Sequence, residues 1–234
     1  MNSILAFIPA RGGSKGIPRK NLVALKGKPM IQYTVEAAQS SRQIKDIFLS
    51  SDDPEIIKTC KSLGLDVPYR RPAELATDET PMMDTIIHGL EWWRDHHGGL
   101  PEIVMILQPT CPLRTSDDID GAIEMMVSNE HSSLVSVHSI SEHPFECVER
   151  KKEGWQYLRK PEQQATRRQD YSSEFYFING AIYLVKTDFL LLKKTLIVED
   201  ETALYSISPR NGLDIDGPLD LERAECYLTK ESLN

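Results

Sequence analysis

The chain has 234 residues, 40% of them hydrophobic and 26% charged, enough for one large domain around a buried core. Its 27 basic and 35 acidic side chains give a formal net charge of −8, which disfavours general binding to nucleic acid or to an anionic membrane surface. No apolar run approaches the roughly 20 residues of a membrane span, no basic leader precedes the first apolar stretch, and the four cysteines (Cys60, Cys111, Cys147, Cys226) are widely spaced and read as free thiols; a soluble, cytoplasmic protein is expected.

In chain order, Ile4 to Pro9 reads as a buried strand, followed by a Gly-rich loop from Ala10 to Asn21. Apolar residues at helical spacing mark Met30 to Ser41. Ile47-Phe48-Leu49 forms a second strand, and Ser50-Ser51-Asp52-Asp53-Pro54 leads into a helix through Leu63. Pro81 to His96 reads as a third helix. Ile103 to Leu107 is apolar throughout, as a central strand covered on both faces is. Ser116 is placed to cap a helix to about Val127, with Asp117, Asp118 and Asp120 favourably in its first turn. This alternation predicts an α/β fold with a mostly parallel sheet. After Val137 the rhythm changes: Glu153-Gly154 reads as a hairpin turn, residues 161–173 as a polar loop, Gly180 to Val185 as a strand and Pro218 to Leu228 as a closing helix. Residues 139–175 therefore read as a β-rich excursion from a core formed by 1–138 and 176–234, and such arms often exchange between subunits, so a homodimer is expected.

Charge is unevenly spread. Six cations and no acid precede Glu36, and four of the six (Arg11, Lys15, Arg19, Lys20) lie in the loop after the first strand. In an open α/β sheet that loop sits at the carboxyl edge, where ligands bind. Glycines allow close backbone approach to an anion, while Arg and Lys supply charge and donors. The loop matches neither the Walker A nor the dinucleotide fingerprint, and its four cations suit a nucleoside triphosphate. Gly12, Ser14 and Gly16 also fit the Gly-x-Ser-x-Gly elbow of serine hydrolases, but that elbow follows several strands and leaves the cations without a role.

The second constellation is Gly212-Leu213-Asp214-Ile215-Asp216-Gly217. On a strand, Asp214 and Asp216 would share one face; paired carboxylates call for a cation such as Mg²⁺ completed by phosphate oxygens, or else Asp216 caps the following helix. Gln108 ends the apolar strand where a substrate-facing amide would sit. Arg167 and Arg168 lie in the polar loop, either solvated or reaching an acidic substrate.

With these segments placed, the chain resembles the acylneuraminate cytidylyltransferase family nearly end to end. The resemblance rests on Ile8-Pro9-Ala10-Arg11-Gly12-Gly13-Ser14-Lys15-Gly16-Ile17-Pro18-Arg19-Lys20-Asn21, Ser50-Ser51-Asp52-Asp53, Arg71-Pro72-Ala73-Glu74-Leu75-Ala76 and Leu107-Gln108-Pro109-Thr110. It continues through Pro112-Leu113-Arg114, Arg167-Arg168-Gln169, Asn179-Gly180-Ala181-Ile182-Tyr183 and Asp214-Ile215-Asp216. It implies a Rossmann-like nucleotidyltransferase with helices on both faces of the sheet and a dimerisation arm at 139–175. It also implies a reaction joining CTP to a nine-carbon α-keto acid sugar, giving the CMP-sugar and pyrophosphate. By the same resemblance Arg11, Lys15 and Lys20 would hold the triphosphate, with Ala10 and Gly12 in the same nucleotide loop. Asn21, Arg71 and position 82 would contact the nucleotide; Gln108, Arg168 and Tyr183 would contact the sugar; Asp214 and Asp216 would bind Mg²⁺. Arg11, Lys20, Asp214 and Asp216 would carry catalysis. Three positions depart from the sialic acid enzymes: Met82 replaces a serine, Glu146 a lysine and Phe177 an arginine, which leaves N-acetylneuraminate, legionaminate and pseudaminate open as the sugar. A regulator that binds nucleotide without chemistry is the alternative from another class.

Overall fold

Six consecutive apolar residues with alternating size can be buried on both faces of a sheet, and β1 (Ile4–Pro9) is used in this way. Ile4, Ala6 and Ile8 enter one core while Leu5 and Phe7 enter another on the opposite face. The structure, a computed structural model, describes residues 3–160 and 174–231. After the loop at 10–21 come a two-residue hairpin, β2 (Ala24–Leu25) and β3 (Lys28–Pro29), then α1 (Met30–Ser40), β4 (Asp46–Ser50) and α2 (Pro54–Ser62). They are followed by α3 (Met82–His97), β5 (Ile103–Ile106), α4 (Ser116–Ser128) and β6 (Ser133–Ser139). A separate hairpin, β7 (Val148–Arg150) and β8 (Trp155–Tyr157), precedes β9 (Tyr176–Lys186), α5 (Thr187–Lys193), β10 (Thr202–Ser206) and α6 (Pro218–Glu231).

The main sheet has the order β10-β6-β9-β5-β1-β4. β1 runs parallel to both β4 and β5, β10 runs parallel to β6, and β9 opposes its two neighbours β5 and β6. Helices α1, α2 and α4 supply Ile31, Ile56 and Ile123 to one core, and α3 and α5 supply Ile86 and Leu190 to the other. The expected mostly parallel sheet with helices on both faces is therefore present. A third, smaller cluster packs Ile17, Leu113 and Ile215 against Met30 and Ala224, joining the loops at the carboxyl edge to α6.

Local details depart from the sequence reading. Ser116 is the first residue of α4; Thr115 is the cap, in a reciprocal box with Asp118. Asp53 caps α2 by accepting from the Glu55 and Ile56 amides. β6, α5 and β10 lacked a clear apolar period. In β6 the polar side chain of Ser136 is buried but satisfied, donating to Asn179 Oδ1 at 2.6 Å and accepting from the Ile182 amide at 2.8 Å. The register between β6 and β9 shifts here, with Gly180 in the left-handed region at φ 74°. Residues 212–217 are not a strand, so Asp214 and Asp216 owe their placement to a tethered loop.

Asp120 fastens the α1–β4 connection to α4. Its carboxylate accepts from Ser41 Oγ (2.5 Å), the Arg42 amide (3.2 Å) and Arg42 Nε (3.0 Å). Burial works to raise its pKa, but the Ser41 and Arg42 donors outweigh it and hold the carboxyl below the usual range. A depressed native pKa stabilises the fold above the unfolded-state value, and that stabilisation fades as pH falls through the native one. Asp120→Ala is expected to cost about 2–3 kcal/mol at neutral pH, with the gap to wild type narrowing below about pH 4; denaturant melts of both proteins at pH 7 and pH 3 measure it.

Candidate active site

Since β4 and β5 flank β1 on opposite sides, the chain reverses its winding at β1, and a crevice opens beyond the carboxyl ends of these three strands. A cavity of about 420 Å³ lies there, bounded by the loop after β1, the loop after β5, the entry to α3 and the acidic segment before α6.

The first loop is anchored before it is charged. Ala10 is fully buried, and its amide extends the β1–β4 ladder to the Ser50 carbonyl at 2.9 Å. The Gly12 amide donates to Asp52 Oδ1 at 2.9 Å, and a Cβ at Gly12 would stand 2.7 Å from Asp53 Oδ2. Ala10 and Gly12 thus shape the loop from behind, and neither lines the cavity. Buried Asn21 ties the loop to itself by donating to the Arg11 carbonyl at 2.9 Å. Arg11, Lys15, Lys20 and Asn21 all line the cavity.

Lys20 is the junction between the two predicted constellations. Its ammonium donates to the Ile215 carbonyl (2.8 Å) and to Asp216 Oδ1 (2.9 Å), with only 12% of its side chain exposed. The Ile215 amide in turn donates to the Thr110 carbonyl at 2.8 Å, fixing the acidic segment to the loop after β5. Asp214 is withdrawn behind Asp216: burial pushes its carboxyl pKa up, helped by the Asp216 charge and opposed by Thr110, Lys20 and the Cys111 thiol. Cys111 is fully buried and lies 3.8 Å from Asp214 Oδ1.

On the opposite wall, Arg71 is buried with Nε on Ser50 Oγ (3.0 Å) and Nη2 on the Ser50 carbonyl (2.6 Å). Burial lowers its pKa, while the neighbouring Tyr69 and Asp52 favour its charge. Met82, the first residue of α3, and Gln108 also line the cavity. Gln108, Tyr183 and Gly180 meet: a Cβ on Gly180 would lie 3.6 Å from Gln108 Nε2 and 3.7 Å from the Tyr183 hydroxyl. Arg168 lies outside the described residues. Phe177 is 55% exposed and tilts against His138, with ring centroids 5.5 Å apart.

Three participants escaped the sequence reading. Asp78, just beyond the Arg71–Ala76 motif, pairs with Arg11 and Lys15. Asn179 organises β6 and β9: its Oδ1 accepts from Ser136 and from the Ala181 amide, so its amide nitrogen faces His138 Nδ1 at 3.3 Å. Fully buried Arg114 donates to the Ala181 carbonyl (2.7 Å) and Thr34 Oγ1 (2.9 Å), clamping the loop after β5. Both Asn179 and Arg114 stood inside the quoted motifs, but key partners, Ser136 for Asn179 and Ala181 and Thr34 for Arg114, are 43 to 80 residues away, beyond reach of any local pattern. No histidine lines the cavity among the described residues, so Ser14 has no imidazole partner there.

A cation-rich cavity at the switch point of a parallel sheet is the site of a nucleotide-binding α/β protein. Residues 5–226 match the family described as Cytidylyltransferase, and the chain belongs to it. It is 35% identical over 219 residues to the CMP-N,N'-diacetyllegionaminic acid synthase of Legionella pneumophila, covering 93% of this chain and 92% of that protein. The pseudaminic acid cytidylyltransferase of Campylobacter jejuni is 31% identical, with 94% of each chain covered. The N-acylneuraminate cytidylyltransferase of Streptococcus agalactiae serotype V is 34% identical over 91% of this chain and 50% of its own length. The chain thus spans about half the length of the first curated relatives it matches. Among solved structures, a CMP:2-keto-3-deoxy-manno-octonic acid synthetase complexed with CTP superposes with a TM-score of 0.70 at 19% identity, covering 98% of this chain and 99% of that one. The 4-diphosphocytidyl-2C-methyl-D-erythritol synthase of Anaerococcus prevotii gives 0.67 at 15% identity, over 97% and 99%.

A Cβ built on Gly16 would strike the Asp216 backbone carbonyl, so this glycine lets the two constellations approach closely, whereas Gly13 faces open space. Gly16→Ala is expected to reduce CTP-dependent turnover by about a hundredfold through displacement of the acidic segment, while Gly13→Ala stays near wild type. Steady-state pyrophosphate release from the two variants makes the comparison.

Proposed function

We propose that the protein transfers a cytidylyl group from CTP to the anomeric hydroxyl of a nonulosonic acid, releasing pyrophosphate. One observation carries the reading: a single cavity joins the cationic loop to the Asp214/Asp216 segment through the Lys20–Asp216 contact at 2.9 Å. In this reading Arg11 and Lys15 hold the triphosphate and Asn21, Arg71 and Met82 surround the rest of the nucleotide, which their common lining of the cavity supports. Gln108 and Tyr183 face the acceptor sugar, and Arg168 is assigned to its carboxylate by sequence alone. In the reaction the sugar hydroxyl oxygen bonds to the α-phosphorus, the bond to the β-phosphate oxygen breaks, and pyrophosphate leaves with that electron pair. Lys20, held by Asp216 and the Ile215 carbonyl, keeps a fixed positive charge beside the developing negative charge without reorganising.

The donor set at the acidic segment fits Mg²⁺: two carboxylates supply hard oxygens, and a third protein carboxylate is unnecessary where phosphate oxygens complete the shell. Among the described residues no group of three or more His, Cys, Asp or Glu side chains that could hold a metal ion is present. When bound, the ion supplies Lewis-acid neutralisation of the phosphates; Asp214 and Asp216 would hold it.

A homodimer through residues 139–175 is part of the same reading, supported by the apolar side chains of Val148, Trp155 and Leu158 that the β7–β8 hairpin leaves exposed. A cytoplasmic setting is supported by four cysteines that all remain free thiols. No helix among the described residues is long and apolar enough to cross a membrane. The near-complete two-way coverage of the legionaminate and pseudaminate relatives, with Phe177 where a cation was expected, favours a sugar of that type.

The test is pyrophosphate release from CTP and Mg²⁺ with N-acetylneuraminate, a legionaminate or a pseudaminate, against a control without sugar. Release is expected to require sugar and metal and to stop with a chelator. Lys20→Ala and Asp216→Ala are each expected to lower kcat by about 10²–10³ with unchanged circular dichroism. Turnover near wild type in either variant would remove that residue from the mechanism.

A further inference from the structure

Arg11 and Lys15, two of the three triphosphate cations, converge on one carboxylate outside their own loop. Asp78 Oδ1 lies 2.7 Å from Arg11 Nη2, and Asp78 Oδ2 lies 3.2 Å from Lys15 Nζ. The second guanidinium nitrogen, Arg11 Nη1, donates to the Thr77 carbonyl at 2.9 Å. Thr77, Asp78 and Thr80 all line the cavity, so this contact is made inside the proposed triphosphate site. The segment keeps its shape by other means: Thr77 and Thr80 hydroxyls bond at 2.7 Å, and Thr80 Oγ1 donates to the Glu74 carbonyl at 3.2 Å. Releasing Asp78 therefore does not require the loop to unfold.

We propose that Asp78 is a built-in competitor for the phosphate site, a specificity-determining residue that a polyphosphate displaces and a single phosphate does not. The inference rests on the reading of this cavity as a triphosphate site. A carboxylate tethered against both cations acts at a high effective concentration. An incoming anion must replace two ion pairs and gains only what it makes in excess. Inorganic phosphate offers little more charge and reach than Asp78 itself. A triphosphate bridges Arg11, Lys15 and Lys20 together and wins the exchange. After transfer, Asp78 returns to Arg11 and Lys15 as pyrophosphate leaves, limiting product retention. Lys15 and Arg11 hold the Asp78 carboxyl below its usual range, so it stays charged through neutral pH.

The experiment uses the full chain and measures binding of pyrophosphate, inorganic phosphate and CTP by calorimetry for wild type, Asp78→Asn and Asp78→Ala. Because Asp78 is partly exposed, each pair is worth a modest amount. Both variants are expected to bind pyrophosphate about three- to tenfold more tightly, to bind inorganic phosphate measurably better, and to show stronger product inhibition by pyrophosphate. Weaker or unchanged pyrophosphate binding in both variants, at a thermal midpoint like that of wild type, would mean that Asp78 merely positions the cations and would overturn the proposal. A wild type that binds neither CTP nor pyrophosphate overturns the triphosphate reading itself, and the proposal with it. A wild type that binds both, with variants that bind no tighter, overturns the competitor role alone.

Discussion

The site depends on a small apolar knot at the carboxyl edge of the sheet. Ile17 from the first loop, Leu113 from the loop after β5 and Ile215 from the acidic segment bury themselves together against Ala224 of α6. Each comes from a loop that also carries polar or charged groups of the site, and none of those loops has a regular hydrogen-bond ladder of its own. Burying three such side chains is worth several kcal/mol in total, and it holds groups of opposite charge in fixed positions. The electrostatics is then preorganised at little cost: the Lys20 ammonium is held by the Ile215 carbonyl, and Ile215 is held by the knot.

Around that knot, polar groups are handled in two ways. Several buried ones that define geometry are engaged: Ser136 both donates and accepts, Asn179 ties two strands, and Arg71 places Nε and Nη2 on Ser50. Those that face the cavity are paired more loosely and nearer solvent, as Lys15 with its side chain 79% exposed and Asp216 with 80% show. Burial makes the first group rigid, because an unpaired buried polar atom is expensive. Solvent keeps the second group exchangeable, because exposed ion pairs are weak. One fold thus carries a stiff frame and a replaceable inner lining.

Most of the frame was legible in the sequence. β1, β4 and β5 were readable because buried parallel strands are apolar without interruption, and α1 to α4 because amphipathic spacing and caps are local signals. β6 and β10 were hidden by serines and threonines whose burial is made acceptable by distant partners, such as Ser133 with Thr202 at 2.6 Å. The cationic loop and the paired acids were visible as charge patterns. Their joining was not, since 195 residues separate Lys20 from the carbonyl it holds. The strand geometry inferred for Asp214 and Asp216 was wrong although the residues do lie together; alternation in sequence reflected the burial of Ile215 and not a ladder. Asp78 carried no local mark at all, because a single acid in a polar turn is the commonest surface feature a sequence has.

The direction of β9 has a consequence for how this fold can diversify. A chain leaving β6 emerges on the ligand side of the sheet, and a parallel return strand would oblige it to cross to the far edge before re-entering. Because β9 runs the other way, it begins where β6 ends, so the connection between them starts and finishes at the carboxyl edge of the sheet, the edge on which the cavity also lies. The β7–β8 hairpin that follows β6 forms a sheet of its own, so it adds no strand to the ladders that carry the loops after β1 and β5. In the proposed reaction, a change of acceptor can be met between β6 and β9 while the loops after β1 and β5 stay as they are, which makes the antiparallel strand a seam in the sheet.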